Sequence, residues 1–140
     1  MTQPKQLTYF ALQGIPQIKS GDHLPEIIFA AIANNGLHLQ DGDILILAQK
    51  IVSKAEGRLV NLTTVQVSSR AFELAEYLGK RPELVELILQ ESNEVVRTRP
   101  GTIIVEHKSG FICANAGIDH SNVRGNWGKD EDWVLLLPED

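Results

Sequence analysis

The chain has 140 residues, 43% of them hydrophobic and 22% charged, the balance of one soluble globular domain with a core of its own. A net charge of -5 leaves no basic stripe to neutralise a nucleic-acid backbone, so no nucleic-acid partner is expected; a nucleotide needs only one or two local cations and stays open. The single cysteine, Cys113, excludes an intrachain disulfide, no signal-like run follows Met1 and no apolar run approaches a membrane span, so a cytoplasmic protein is predicted.

Residues 7–12 (Leu-Thr-Tyr-Phe-Ala-Leu) read as a first strand, and Gly14 and Pro16 turn the following stretch into a loop. Asp22 can cap a helix with Pro25 in its first turn; Ile27, Ile28, Ala31 and Ile32 recur at helical spacing, and Asn35-Gly36 ends it. The turn Asp41-Gly42-Asp43 feeds residues 44–48, an unbroken apolar run that predicts a strand buried on both faces. Residues 58–62 read as a short strand. Ser68 or Ser69 caps a second helix through Phe72, Leu74, Ala75 and Leu78, stopped by Gly79. Pro82 starts a third helix, extending towards Val96, and Pro100-Gly101 breaks it. Residues 102–106 and 111–114 form a hairpin around Lys108-Ser109-Gly110, residues 123–132 a polar surface loop carrying Trp127, and residues 133–137 a last strand stopped by Pro138. Strands and helices do not alternate strictly, so the predicted class is α+β: a mixed β-sheet with about three helices packed on it.

Three segments carry candidate chemistry. Residues 115–122 (Asn-Ala-Gly-Ile-Asp-His-Ser-Asn) put amides, a carboxylate and a hydroxyl directly after a strand-like run. That is material for a hard cation and a phosphate, because a carboxylate supplies charge and neutral oxygens fill the remaining positions. The same residues also suit a polar turn. Residues 49–58 (Gln-Lys-Ile-Val-Ser-Lys-Ala-Glu-Gly-Arg) follow the most apolar predicted strand, where crevices open at sheet ends. Two lysines and an arginine there can bind an anion, or simply face water. The spacing of a P-loop is absent. The Gly14-Ile15-Pro16-Gln17-Ile18 loop is weak alone. His23, His38, His107 and His120 show no metal-ligand spacing, and no nucleophile elbow occurs, so acyl-enzyme chemistry is disfavoured and no catalytic residue is assigned.

Together these segments resemble the coenzyme F420-0:L-glutamate ligase family, also called gamma-glutamyl ligase. The resemblance runs through residues 14–22, Asp41-Gly42-Asp43, residues 49–58, residues 85–92, residues 115–122 and residues 135–140, in family order over nearly the whole chain. It implies a ligase that uses GTP and a divalent metal, magnesium or manganese, to join L-glutamate to a deazaflavin coenzyme precursor through an acyl phosphate. Carried over residue by residue, Asp119 matches the family's metal-binding aspartate and Asn122 a nucleotide contact. Ile15, Pro16, Gln17 and Ile18 match the first GTP-binding loop, Gln49 and Lys50 a second contact, and Lys54 the nucleotide-binding lysine.

Family members run to roughly twice this length, so residues 1–140 correspond to the N-terminal portion, without the second half that holds further metal ligands. Two expectations follow: a ligase incomplete by itself, or a non-catalytic nucleotide-binding or assembly module derived from that family. Apolar faces left uncovered favour a homodimer or a complementing second-half chain.

Overall fold

The computed structural model describes residues 6–120 and 132–139. Its elements, in chain order, are α1 (Leu24–Asn34), α2 (Gln49–Ala55), β1 (Leu59–Asn61), a short 3-10 turn (Leu62–Thr64), α3 (Ser69–Leu78), α4 (Pro82–Gln90), β2 (Ser92–Arg99), β3 (Thr102–His107), β4 (Ile112–Ala114), the turn Asn115–Gly117 and β5 (Trp133–Leu135). The α+β class holds, with four helices among the described residues. The strands divide into two antiparallel sheets, β1-β5 and β2-β3-β4.

Helices α3 and α4 form where the apolar period predicts them. The Ser68 hydroxyl caps α3 by accepting from the Ala71 N–H (3.2 Å), and Gly79 ends it in a left-handed conformation, φ 66°. Their apolar faces meet β3 in the main core: Ala71, Ala75 and Leu78 from α3, Val85 and Ile88 from α4, Ile103 and Val105 from β3. Burial along β3 alternates as a strand with one face on a core must. A second cluster, Leu62, Leu87, Val134 and Leu136, sits under the β1-β5 pair, and Leu84 and Ile118 pack against both.

Four predicted features change locally. Asp22 does not cap α1: His23 occupies that position without a side-chain bond, and the Asp22 carboxylate accepts from the Lys19 N–H (2.7 Å), closing the preceding loop. Residues 49–55, for which the sequence predicts no regular element, are helical. The helix from Pro82 stops at Gln90, because the Ser92 hydroxyl bonds back to the Ile88 carbonyl and the chain turns into β2, which carries Val95 and Val96. The last strand is shorter than residues 133–137.

The largest departure concerns residues 7–12 and 44–48, which form no regular strand. Tyr9 is 74% exposed, Ile44 82% and Ile46 78%. No described strand pairs with either segment, so the apolar pattern finds no sheet to enter.

A buried polar cluster joins the two sheets. Glu91 is 7% exposed, and its carboxylate accepts from the Arg58 guanidinium and from Lys108 (3.5 Å). Arg58 also donates to the Leu137 carbonyl (2.9 Å) and to Glu139 (2.6 Å), so one guanidinium ties the start of β1 to the end of α4 and to the tail after β5. His107 stacks on Phe111, with centroids 5.0 Å apart, and its Nδ1 accepts from the Ser109 N–H (3.1 Å). Its Nε2 stands 3.9 Å from Glu91.

Glu86 gives α3 a tertiary cap. It accepts from the Ser68 hydroxyl (2.6 Å) and the Ser68 N–H (2.9 Å), and these bonds, with a smaller one from Gln90, hold its carboxyl below the ordinary 4.5. A folded value below the unfolded one stabilises fully above the unfolded pKa, and the gain is lost as pH falls through the folded value. Glu86→Gln is therefore expected to be less stable than the wild type at neutral pH, with the gap closing as pH falls below 4.5; denaturant melts at a series of pH values read it, and a constant gap refutes the assignment. Ser68→Ala, which removes cap and partner together, should cost about 1–2 kcal/mol at neutral pH.

Candidate functional site

Helix α2 carries the second candidate segment. Gln49 and Ser53, and likewise Lys50 and Lys54, stand four residues apart, so each pair shares a side of the helix. Ser53 is fully buried, and its hydroxyl accepts from the Gln49 amide (2.8 Å), which fixes the helix's first turn. Arg58 N–H then donates to the Ser53 carbonyl (2.8 Å) where the helix gives way to β1.

The third candidate segment is built around a run of left-handed backbone. Asn115, Ala116 and Gly117 have φ of 52°, 53° and 67°. Consecutive left-handed residues are costly for residues with a Cβ, and Asn tolerates the region best after Gly. The conformation is held by its surroundings: Ala116 is fully buried in the main core, and Ile118 N–H closes the turn on the Asn115 carbonyl (3.1 Å). Gly117 is required twice, by its φ and by space, since a Cβ there would lie 2.5 Å from Leu137 Cδ1. Beyond the turn, Asp119 exchanges two backbone hydrogen bonds with Leu135, both 2.9 Å, so β5 fixes where its side chain starts.

The two segments meet. The Lys50 ammonium lies 2.9 Å from the Asp119 carboxylate, with the two side chains 29% and 28% exposed. Residues 69 positions apart in the chain, singled out separately by their chemistry, therefore form one charged pair. Lys54 follows one turn along α2, half-buried, and no carboxylate among the described residues pairs with it.

The first loop approaches the other end of α2. Gly21 N–H donates to the Ala55 carbonyl (2.8 Å), and Gly57 abuts the Ser20 side chain, where a Cβ would meet Oγ at 2.6 Å. The loop's start is pinned to the α1 C-cap, with Asn35 bonding the Gln13 N–H and carbonyl (3.2 and 3.0 Å). Within it Ile18 is buried, Ile15 half-buried, and Pro16 and Gln17 exposed. Asn122 lies outside the described residues.

The donors at the Lys50–Asp119 pair are hard oxygens, which suits magnesium or manganese in kind. Asp119 supplies a carboxylate, and Asn115 Oδ1 is buried with no hydrogen-bond partner among the described residues. Asn115 was not singled out from sequence; its place at the head of an Asn-Ala-Gly string is the signal that could have marked it. In number the donors fall short: no group of three or more His, Cys, Asp or Glu able to hold a metal occurs among the described residues. Cys113 takes no part, since burial pushes its thiol up and keeps it protonated. No described helix is long and apolar enough to cross a membrane.

Comparison with known proteins identifies the family. A family model described as F420-0:Gamma-glutamyl ligase matches residues 14–140. Proteins named coenzyme F420:L-glutamate ligase from Methanothermobacter thermautotrophicus and Archaeoglobus fulgidus are each 41% identical, over 134 and 129 residues, 96% and 92% of this chain. A third, from Methanopyrus kandleri, is 41% identical over 124 residues, 89% of this chain. The matches cover 51%, 47% and 45% of those relatives, so the chain spans about half the length of the curated relatives it matches. With the match running through all three candidate segments, the chain belongs to the F420-0:gamma-glutamyl ligase family.

Proposed function

We propose that this chain forms the nucleotide side of a GTP- and metal-dependent ligase that joins L-glutamate to a deazaflavin coenzyme precursor. The observation that supports this reading is the 2.9 Å approach of Lys50 to Asp119, a cation of the kind that suits a phosphate beside a carboxylate of the kind that suits a metal. Family membership supports the substrates, since the relatives' names specify coenzyme F420 and L-glutamate.

In this scheme a carboxylate of the coenzyme precursor attacks the γ-phosphorus of GTP, and GDP leaves. The acyl phosphate so formed is attacked by the amine of glutamate; an amide forms, inorganic phosphate departs and the amine gives up a proton. Little covalent work falls to the protein in phosphoryl transfer; position and charge neutralisation dominate. Lys50 and Lys54 hold phosphate oxygens from one side of α2. Asp119 would hold the divalent metal, Asn115 Oδ1 being a further candidate oxygen, and the metal when bound would offset charge on the phosphoryl group. Residues 15–18 form an apolar and amide surface for the nucleotide, with Gln49 and Asn122 as further contacts.

The remaining metal ligands and the coenzyme site fall to the portion of the relatives that this chain does not match. That portion, or a complementing chain, is also the proposed cover for the exposed apolar runs 7–12 and 44–48. By itself the chain binds nucleotide and does not turn over. The lone thiol and absence of disulfides suit a cytoplasmic location.

Calorimetric titration with a non-hydrolysable GTP analogue, with and without manganese, tests the reading directly. Binding that strengthens with manganese is expected; Lys54→Ala should weaken it roughly 10-fold or more, the effect of losing one charge-assisted hydrogen bond. Asp119→Ala should remove the manganese dependence. Unchanged binding in both variants overturns the site assignment. Light scattering over a wide concentration range is expected to show a dimer or larger species, and a monomer throughout would remove the case for self-association through the exposed runs.

A further inference from the structure

The loop that carries residues 15–18 is fastened at both ends to the C-termini of helices. At its far end the Gly21 N–H donates to the Ala55 carbonyl at the close of α2 (2.8 Å), and the Asp22 carboxylate accepts from the Lys19 N–H (2.7 Å). At its near end a single side chain makes the connection. Asn35 is the C-cap of α1, and its backbone N–H and its Nδ2 both donate to the Ala31 carbonyl (3.0 and 2.8 Å). The same Nδ2 donates to the Gln13 carbonyl (3.0 Å), and Oδ1 accepts from the Gln13 N–H (3.2 Å). One amide thus pairs with both backbone groups of Gln13, as the opposite residue would in an antiparallel strand.

The preceding segment offers no substitute for this pairing. Residues 6–13 form no regular strand, and among the described residues the backbone of Gln13 bonds to Asn35. Gly14 follows with φ 80°, and a glycine enters either sense of φ freely, so it does not by itself fix the direction of the chain. Pro16 and Gln17 are exposed and Ile15 is half-buried, so little packing holds them. We propose that Asn35 is a positioning residue for this loop: by fastening Gln13 to the end of α1, its amide holds residues 15–18 in the conformation that meets the nucleotide. This rests on the nucleotide reading of the loop and deepens it by naming what orders the loop before the ligand arrives. A loop already ordered spares the ligand the entropy of ordering it, so the fastening is read as affinity although Asn35 itself touches no ligand. An amide suits the task because it presents donors and an acceptor together, whereas a carboxylate only accepts.

The test uses four variants of the 140-residue chain. Asn35→Asp keeps the shape and the acceptor and removes the donors. Asn34→Asp places the same charge on the last residue of α1, whose side chain takes no part in the pairing, and controls for a negative charge at a helix C-terminus. Ile15→Ala/Gln17→Ala strips the loop, and the fourth variant adds Asn35→Asp to the stripped loop. Circular dichroism first establishes that all are folded. In calorimetric titration with guanylyl imidodiphosphate, Asn35→Asp is expected to bind about 5-fold more weakly than the wild type, the effect of one or two lost hydrogen bonds. Asn34→Asp should match the wild type. The stripped loop should also bind more weakly, and adding Asn35→Asp to it should cost little more, because a loop without contacts gains nothing from being held. Amide hydrogen exchange across residues 13–18 should quicken in Asn35→Asp and not in Asn34→Asp, with α3 unchanged in both.

An asparagine that served α1 alone would not couple to the side chains of the loop. Equal binding by Asn35→Asp and Asn34→Asp, with the stripped loop weakened, overturns the positioning role and leaves the nucleotide reading standing. Full additivity in the combined variant overturns it as well. A stripped loop that binds like the wild type, or an analogue that binds none of the proteins, overturns the nucleotide reading of the loop and this role with it; the exchange measurement then still decides whether Asn35 fastens the loop.

Discussion

The left-handed turn Asn115–Gly117 is the constraint on which the site depends. Two residues with side chains, Asn115 and Ala116, adopt a backbone that L-residues avoid, at a cost of order 1–3 kcal/mol each. The offset is visible in the packing. Ala116 fills a fully buried position between α4 and β3, Ile118 reaches both hydrophobic clusters, and Gly117 lets the chain pass against Leu137 without a side chain between them. A right-handed turn of the same length would send residues 118 and 119 elsewhere. The observed one delivers Asp119 to Leu135 in β5 and its carboxylate to Lys50. Core packing therefore sets the position of the charged group, as expected where strain is found at a functional site.

The polar cluster around Arg58 acts at the next scale. Sheet β1-β5 and sheet β2-β3-β4 share no strand, so their relative placement rests on what crosses between them. Leu84 and Ile118 cross in apolar contact, and the Arg58–Glu91 pair crosses as a buried ion pair with Lys108 and His107 at its edge. Buried ion pairs are poor sources of net stability and strong sources of placement, because each partner must be met or its desolvation goes uncompensated. Arg58 directly follows the segment that bears Lys50 and Lys54, and its second and third bonds go to the tail after β5. α2 and β5, which carry the two halves of the candidate site, are thus fixed to one another through a residue outside it.

Where one segment's own pattern decides the outcome, the sequence was legible. Ser68 and Gly79 bracket α3, Pro82 opens α4, and the 102–114 hairpin is plain from two apolar runs around Ser109-Gly110. Legibility fails where the outcome depends on a partner. β2 carries Arg97 and Arg99 and half-exposed valines, a poor strand by composition, yet it pairs along the whole of β3. Residues 49–55 look like a solvated turn because four of seven are polar or charged, and only the burial of Ser53 and the contact of Lys50 give those positions meaning. Both segments that now form the charged pair were recognisable by chemistry and by family resemblance. Their meeting was not, since nothing in a lysine or an aspartate specifies which of the chain's eighteen acidic and thirteen basic residues it will face.

Residues 7–12 and 44–48 fail in the opposite sense. Their pattern is that of interior strands, yet Ile44 and Ile46 stand 82% and 78% exposed. A strand is a property of a pair, because its backbone groups are satisfied only by a neighbour and its side chains only by a facing layer. Apolar content alone cannot supply either. Both runs have interior character and no strand partner among the described residues. The run 44–48 leads directly into α2, with residue 48 as its N-cap. Whatever covers that run would therefore sit immediately behind Gln49 and Lys50. On this view the buried Ser53 and the Lys50–Asp119 pair hold α2 in register until that cover is in place.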